Sequence, residues 1–221
     1  ANNGRIIEEP MPAGIVSPQG KKIYMIAFVI GIGIPLGIIF LLNLLRFRIE
    51  GHTDVEKLTK VPIIGDIPLT GSNKHEESAI AVRENDNDIM TETFRSLRTN
   101  LLFMMGDPDK KVVLVTSTIS GEGKTFIASN LALSLALLGK KVILVGLDIR
   151  KPGLNKLFHL SHKEKGITQY LAAPKSTDLH ALIQPSGITS NLDLLLGGPI
   201  PPNPTELLAR QSLEDTISTS V

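Results

Sequence analysis

Five consecutive residues, Gly121-Glu122-Gly123-Lys124-Thr125, combine side chains and spacing that suit phosphate chemistry. Glycines let backbone N–H groups converge on phosphate oxygens, and a helix starting just after them adds its positive end. Lys124 supplies a mobile positive charge. The Thr125 hydroxyl is placed to ligate a magnesium ion that bridges the outer phosphates of a nucleotide. The candidate cradle runs through Ser120, Gly121, Glu122, Gly123, Lys124, Thr125 and Phe126. It departs once from G-x-x-x-x-G-K-[ST], because Thr118 stands where the pattern has its first glycine. A second group follows at Asp148-Ile149-Arg150-Lys151-Pro152. Asp148 could reach the magnesium or a water on it, and Arg150 a phosphate or a neighbouring subunit. Read alone, the same letters fit a strand-ending Asp and a solvated Arg.

Residues 112–118 (VVLVTST) are a β-branched run short enough to be a buried strand. An apolar helical stretch occupies 126–138 and Gly139 ends it. Residues 142–147 (VILVGL) read as a second buried strand that delivers Asp148 at its C-terminal end. Strand, glycine-rich turn and helix, in that order, form the setting in which a Gly-Lys-Thr triplet acquires meaning. The expected fold class is therefore α/β, with a mainly parallel sheet flanked by helices.

Across its 221 residues the chain carries 23 basic and 22 acidic side chains, a balance that argues against a nucleic-acid partner held by bulk charge. It has no cysteine, which excludes a disulfide scaffold and any Cys-ligated metal centre. The mean hydropathy of +0.15 is high for a soluble enzyme. The excess sits in residues 23–45, which are free of charge and flanked by Lys21, Lys22, Arg46 and Arg48. As a helix this stretch would be about 35 Å long, enough to cross a hydrocarbon core of ~30 Å. Gly33 and Gly37 stand at G-x-x-x-G spacing within it. Residues 1–22, with Pro10, Pro12 and Pro18, read as an extended approach to the span. Residues 46–87 read as a linker, polar and acidic in its second half. The chain opens at Ala1 and is expected to be part of a longer protein.

SGEGKT together with LDIRKP closely resembles the P-loop and second acidic motif of the bacterial tyrosine kinases, relatives of the MinD/ParA-type ATPases. Residues 92–101 (ETFRSLRTNL) resemble that family's E-x-x-R-x-x-R helix, and 166–171 and 197–208 resemble further family segments. Pro12, Ser17 and Pro18 partly match the proline-rich signature of polysaccharide copolymerases. The resemblance implies a P-loop kinase domain over 88–221, incomplete at its C-terminal end, behind a transmembrane helix in the bacterial inner membrane. It implies ATP and Mg2+ as cofactors, with Lys124, Asp148 and Arg150 catalytic and Thr125 and Asp148 on the metal. It also implies ring-like self-association through Glu92, Arg95 and Arg98, tyrosine substrates in trans, and work with polysaccharide export machinery on capsular or exopolysaccharide chain length.

Two departures bear on mechanism. The family's second motif is usually D-x-D, whereas here Gly146 holds the first position, so a proton acceptor must be Asp148 or another base. The family's third acidic motif and tyrosine-rich tail are not found within residues 1–221, and Tyr24 and Tyr170 suit a membrane boundary and a packing role. Residues 1–221 alone are therefore expected to turn over ATP poorly. The alternatives are a MinD/ParA-like regulatory ATPase, whose relatives carry a further lysine near 117–119, and a non-catalytic copolymerase scaffold with a nucleotide-binding module.

Overall fold

The computed structural model describes residues 20–45, 51–68, 80–84, 86–107, 109–160 and 165–220. Two compact units divide the chain, Ala1–Lys60 and Val61–Val221. Pro10, Pro12, Ser17, Pro18, Arg46 and Arg48, and residues 69–79 of the expected linker, lie outside the described residues.

In the first unit, helix α1 (Gly20–Leu45) starts three residues before the apolar stretch expected from sequence and takes Pro35 into its interior. It is the one described helix long and apolar enough to cross a membrane. Its large apolar side chains are exposed from Ile23 to Leu44, Phe28 at 67% and Phe40 at 70%. Water would oppose such a surface, because each apolar side chain gains about 1.5–3 kcal/mol on full burial. A short helix, α2 (His52–Leu58), follows and buries nothing.

The second unit is built on three strands: β1 (Val142–Val145), β2 (Ile183–Pro185) and β3 (Leu192–Leu195). Their order is β1-β3-β2, with β1 parallel to β3 and β2 antiparallel to it. The sheet is small and mixed, with one parallel and one antiparallel pairing among the described residues. Side chains alternate across a strand, and β3 uses both faces. Leu192, Leu194 and the following Leu196 enter one core, and Leu195 enters the other, all at 0% exposure. The first core is completed by α3 (Ile89–Met105) and α4 (Lys124–Leu137), through Phe94, Leu97, Leu131, Leu133 and Ala136. Leu154 of α5 (Leu154–Leu157) joins them. The second core holds Ile167 and Leu171 of α6 (Ile167–Ala172) and Leu207 of α7 (Pro204–Leu208), and α8 (Gln211–Ser220) follows. Helices thus cover both faces of the sheet.

The run 112–118 joins no sheet among the described residues: Val112, Val113 and Leu114 are 56%, 42% and 76% exposed. β-Branched side chains favour an extended backbone, but a strand also needs a neighbour's ladder, which this segment does not find here. The stretch 46–87, expected as a linker, contains anchored pieces. Ile64, Ile67 and Ile80 pack against the first core and Val82 is 2% exposed. The Asn130 side chain fixes the second piece. Its Oδ1 accepts from the backbone N–H of Ala81 at 2.7 Å and of Val82 at 3.0 Å. Residues 49–69 carry visible apolar patches, whereas the polar and acidic surroundings concealed the short apolar run 80–82.

Candidate functional site

Gly121 and Gly123 both adopt positive φ, +96° and +90°, in the left-handed region that favours glycine. Gly123 caps the start of α4, so Lys124 is its first residue and Thr125 its second. The free N–H groups of a helix's first turn, together with those of the glycine turn, form a concave anion receptor. Ser120, Gly121 and Glu122 are exposed at its rim, and Lys124 and Thr125 are half-buried. Phe126 departs from this set: its ring stacks edge-on against Phe94 at 5.7 Å. Any contact it makes to phosphate is thereby left to its backbone.

Asp148 lies three residues beyond the end of β1 and meets Lys124 across 24 positions of sequence, Oδ2 to Nζ at 2.9 Å. The backbone N–H of Lys151 donates to its Oδ1 at 3.0 Å. Partial burial pushes the Asp148 carboxyl up. The Lys124 hydrogen bond and charge, with the N–H groups of Lys151 and Arg150, outweigh that and hold it below the ordinary 3.8. Arg150 is exposed and reaches Asp148 through its backbone N–H. The 148–153 loop then crosses the first turn of α4: a Cβ placed on Gly153 would sit 3.5 Å from Thr125 Oγ1. Gly146, in the place of an acidic residue, is closely packed. A Cβ there would lie 3.0 Å from Leu154 Cδ1 and 3.2 Å from the Gly197 nitrogen.

The donor set bears on which metal fits. Among the described residues no three acidic or imidazole side chains gather to hold a cation. One hydroxyl and one carboxylate suit a small ion that completes its shell with phosphate oxygens and water, which is magnesium's habit.

On α3 the three charged residues divide. Glu92 and Arg95 form an exposed i,i+3 ion pair. Arg98 turns the other way, its Nη1 donating to the Ser134 carbonyl at 2.8 Å and the Ser134 hydroxyl at 3.3 Å on α4. The i, i+3, i+6 spacing of Glu92, Arg95 and Arg98 alone would keep all three on one helical face. Residue order likewise does not disclose the roles of Asn130 or of the Glu122 side chain, whose Oε2 accepts from the N–H groups of Thr118 and Ile119. An asparagine inside an apolar-rich helical stretch was the available signal for the first. For the second, no local pattern announced it.

The ParA family model, described as NUBPL iron-transfer P-loop NTPase, matches residues 109–188. The tyrosine-protein kinase YwqD of Bacillus subtilis (strain 168) is 37% identical over 143 residues, covering 65% of this chain and 58% of that protein. The tyrosine-protein kinase etk of Escherichia coli (strain K12) is 28% identical over 237 residues, covering 97% of this chain and 32% of that protein. The chain thus spans less than two thirds of the length of these curated relatives. Among solved structures, the chimerical protein CapA2B2 aligns with a TM-score of 0.65 at 32% identity, over 77% of this chain and 70% of that one. The fold is a ParA-like P-loop NTPase fold, and its family implies nucleotide binding.

Proposed function

The chain belongs to the bacterial tyrosine kinases, and from that premise we propose that it forms the ATP-binding part of a membrane-anchored protein-tyrosine kinase. The parent protein autophosphorylates and regulates capsular or exopolysaccharide chain length and export. The observation that carries this reading is the 2.9 Å pair between Lys124 and Asp148, which brings the glycine turn and the end of β1 to one place. Bound Mg-ATP supplies the transferable phosphoryl group. The N–H groups from Gly121 to Thr125 hold the phosphates, and Lys124 moves from Asp148 onto them. With Lys124 so engaged, the Asp148 carboxylate and the Thr125 hydroxyl are the residues that would hold a magnesium ion, which would neutralise phosphate charge. An aspartate carboxylate is ionised at neutral pH even without Lys124 beside it, which suits metal holding better than proton uptake. Arg150 stands exposed nearby as an electrostatic contributor. Catalysis then rests on positioning and charge neutralisation.

The apolar α1 anchors the protein in the bacterial inner membrane, with residues from about 46 onward on the cytoplasmic, ATP-bearing side and 1–22 in the periplasm. The organisation is an approach segment (1–22), a span (23–45), a linker (46–87) and the kinase part (88–221). Self-association into a ring uses the α3 face that bears Glu92 and Arg95, and tyrosine substrates and export machinery are met in trans. The test is Lys124→Met in the full-length protein, read by ATP affinity and by phosphotyrosine. Both should be lost, and unchanged ATP affinity would sink the site.

A further inference from the structure

The backbone and side chain of Glu122 serve opposite ends of the same turn. Its N–H belongs to the Gly121–Thr125 set assigned above to phosphate. Its carboxylate folds back, and one oxygen, Oε2, accepts from the N–H of Thr118 at 2.8 Å and of Ile119 at 3.1 Å. These two donors lie outside the phosphate-holding set, at the end where the family's P-loop pattern has a glycine and this chain has Thr118. The Ser117 hydroxyl donates to the Ile119 carbonyl at 3.0 Å, so the same end carries a second side-chain tie.

We propose that Glu122 is a positioning residue: its carboxylate braces the open end of the phosphate-binding turn and holds the 121–125 N–H groups converged before nucleotide arrives. The physical reason is conformational. Two glycines at positive φ give the turn its shape and also its freedom, since glycine loses more entropy on ordering than any other residue. A cross-turn bond between residue 122 and residues 118 and 119 removes part of that freedom in advance, and preorganisation of this kind appears as ligand affinity. A carboxylate that plugged the receptor would instead take the donors at 121–125, and the two it takes are at 118 and 119. Its charge opposes the arriving phosphates, so what the brace requires is an acceptor oxygen at this place.

That distinction sets the test. The proposal rests on the nucleotide reading of the turn, so wild type is measured first. The full-length protein in lipid nanodiscs, with Glu122→Ala and Glu122→Gln variants, is titrated with a fluorescent ADP analogue and magnesium, and unfolding temperatures are recorded without nucleotide. Glu122→Ala should bind about tenfold more weakly, the size of effect expected from losing a charge-assisted hydrogen bond. Glu122→Gln, which keeps the acceptor and drops the charge, should bind as well as wild type or better. The unfolding temperature should fall by no more than the few degrees that one exposed hydrogen bond contributes, which separates positioning from general stability. Equal or tighter binding by Glu122→Ala overturns the proposal, as does Glu122→Gln as weak as Glu122→Ala or an unfolding temperature lowered by more than about 6 °C, the mark of general destabilisation. Wild type that fails to bind at all overturns the nucleotide reading and this proposal with it.

Discussion

The chain carries two charged constellations, and they are assembled in opposite ways. Lys124 and Asp148 are far apart in sequence and touch because a glycine turn, a helix and a strand bring them together. Glu92, Arg95 and Arg98 lie within two turns of one helix and yet separate. Glu92 and Arg95 pair in solvent, while Arg98 leaves α3 to bond the Ser134 carbonyl of α4. Helical spacing states which side chains can be neighbours. What each long side chain does is settled by the acceptors that packing brings within reach, and for Arg98 that acceptor lies on another helix. The first constellation is thus made by the fold, and one member of the second helps to make it.

Changes at each place should separate these roles. The largest effect is expected from Lys124→Met, which should weaken nucleotide binding by at least about a hundredfold while leaving the unfolding temperature near wild type, as measured by titration and calorimetry. Gly146→Asp comes next. It restores the acidic pair in letters, but the new Cβ would crowd Leu154 Cδ1 at 3.0 Å and the less yielding Gly197 backbone nitrogen at 3.2 Å, so it should lower stability by roughly 1–3 kcal/mol without raising phosphotyrosine yield. Arg98→Ala should cost about 1–2 kcal/mol in denaturant unfolding, because it removes a charged hydrogen bond between α3 and α4. Glu92→Ala and Arg95→Ala should change stability by less than about 1 kcal/mol, as exposed ion pairs do. If Arg98→Ala left stability intact and altered only assembly, Arg98 would belong with Glu92 and Arg95 and not with the α3–α4 packing.

The smallest expected effect is that of pH. The Asp148 carboxyl is held below its ordinary 3.8 in the folded protein, so its contribution to stability is full above that value. The contribution fades as pH falls through the lower, folded-state pKa. Asp148→Asn removes this dependence, so the stability gap between wild type and variant should narrow below about pH 4. Acid titrations of both proteins, followed by circular dichroism, would show it.

Much of this arrangement was legible from residue order. Gly121 and Gly123 announced a turn, the run from Val142 announced β1, and Gly139 announced the end of α4, each through local backbone preference. The limits were non-local. The run 112–118 has the same β-branched character as 142–145, and only the second is paired, with β3 some fifty residues away. Composition measures the cost of extending a chain but does not name the partner. The destinations of Arg98 and Asn130 were hidden for the same reason, since each bonds a group about 35 to 50 residues away that only the folded chain brings near, whereas Glu122 bonds within its own turn.

Asn130 has a further consequence. Its amide bonds three backbone groups at once, accepting from Ala81 and Val82 and donating to the Phe126 carbonyl within α4. Residues 81 and 82 belong to no helix or strand, so a reading by secondary structure would expect their amide protons to exchange quickly with solvent. Buckled to α4 by one side chain, they should instead exchange at that helix's pace and speed up together in Asn130→Ala. The chain leading into α3 would then register, in its exchange clock, the opening of the helix that begins at Lys124.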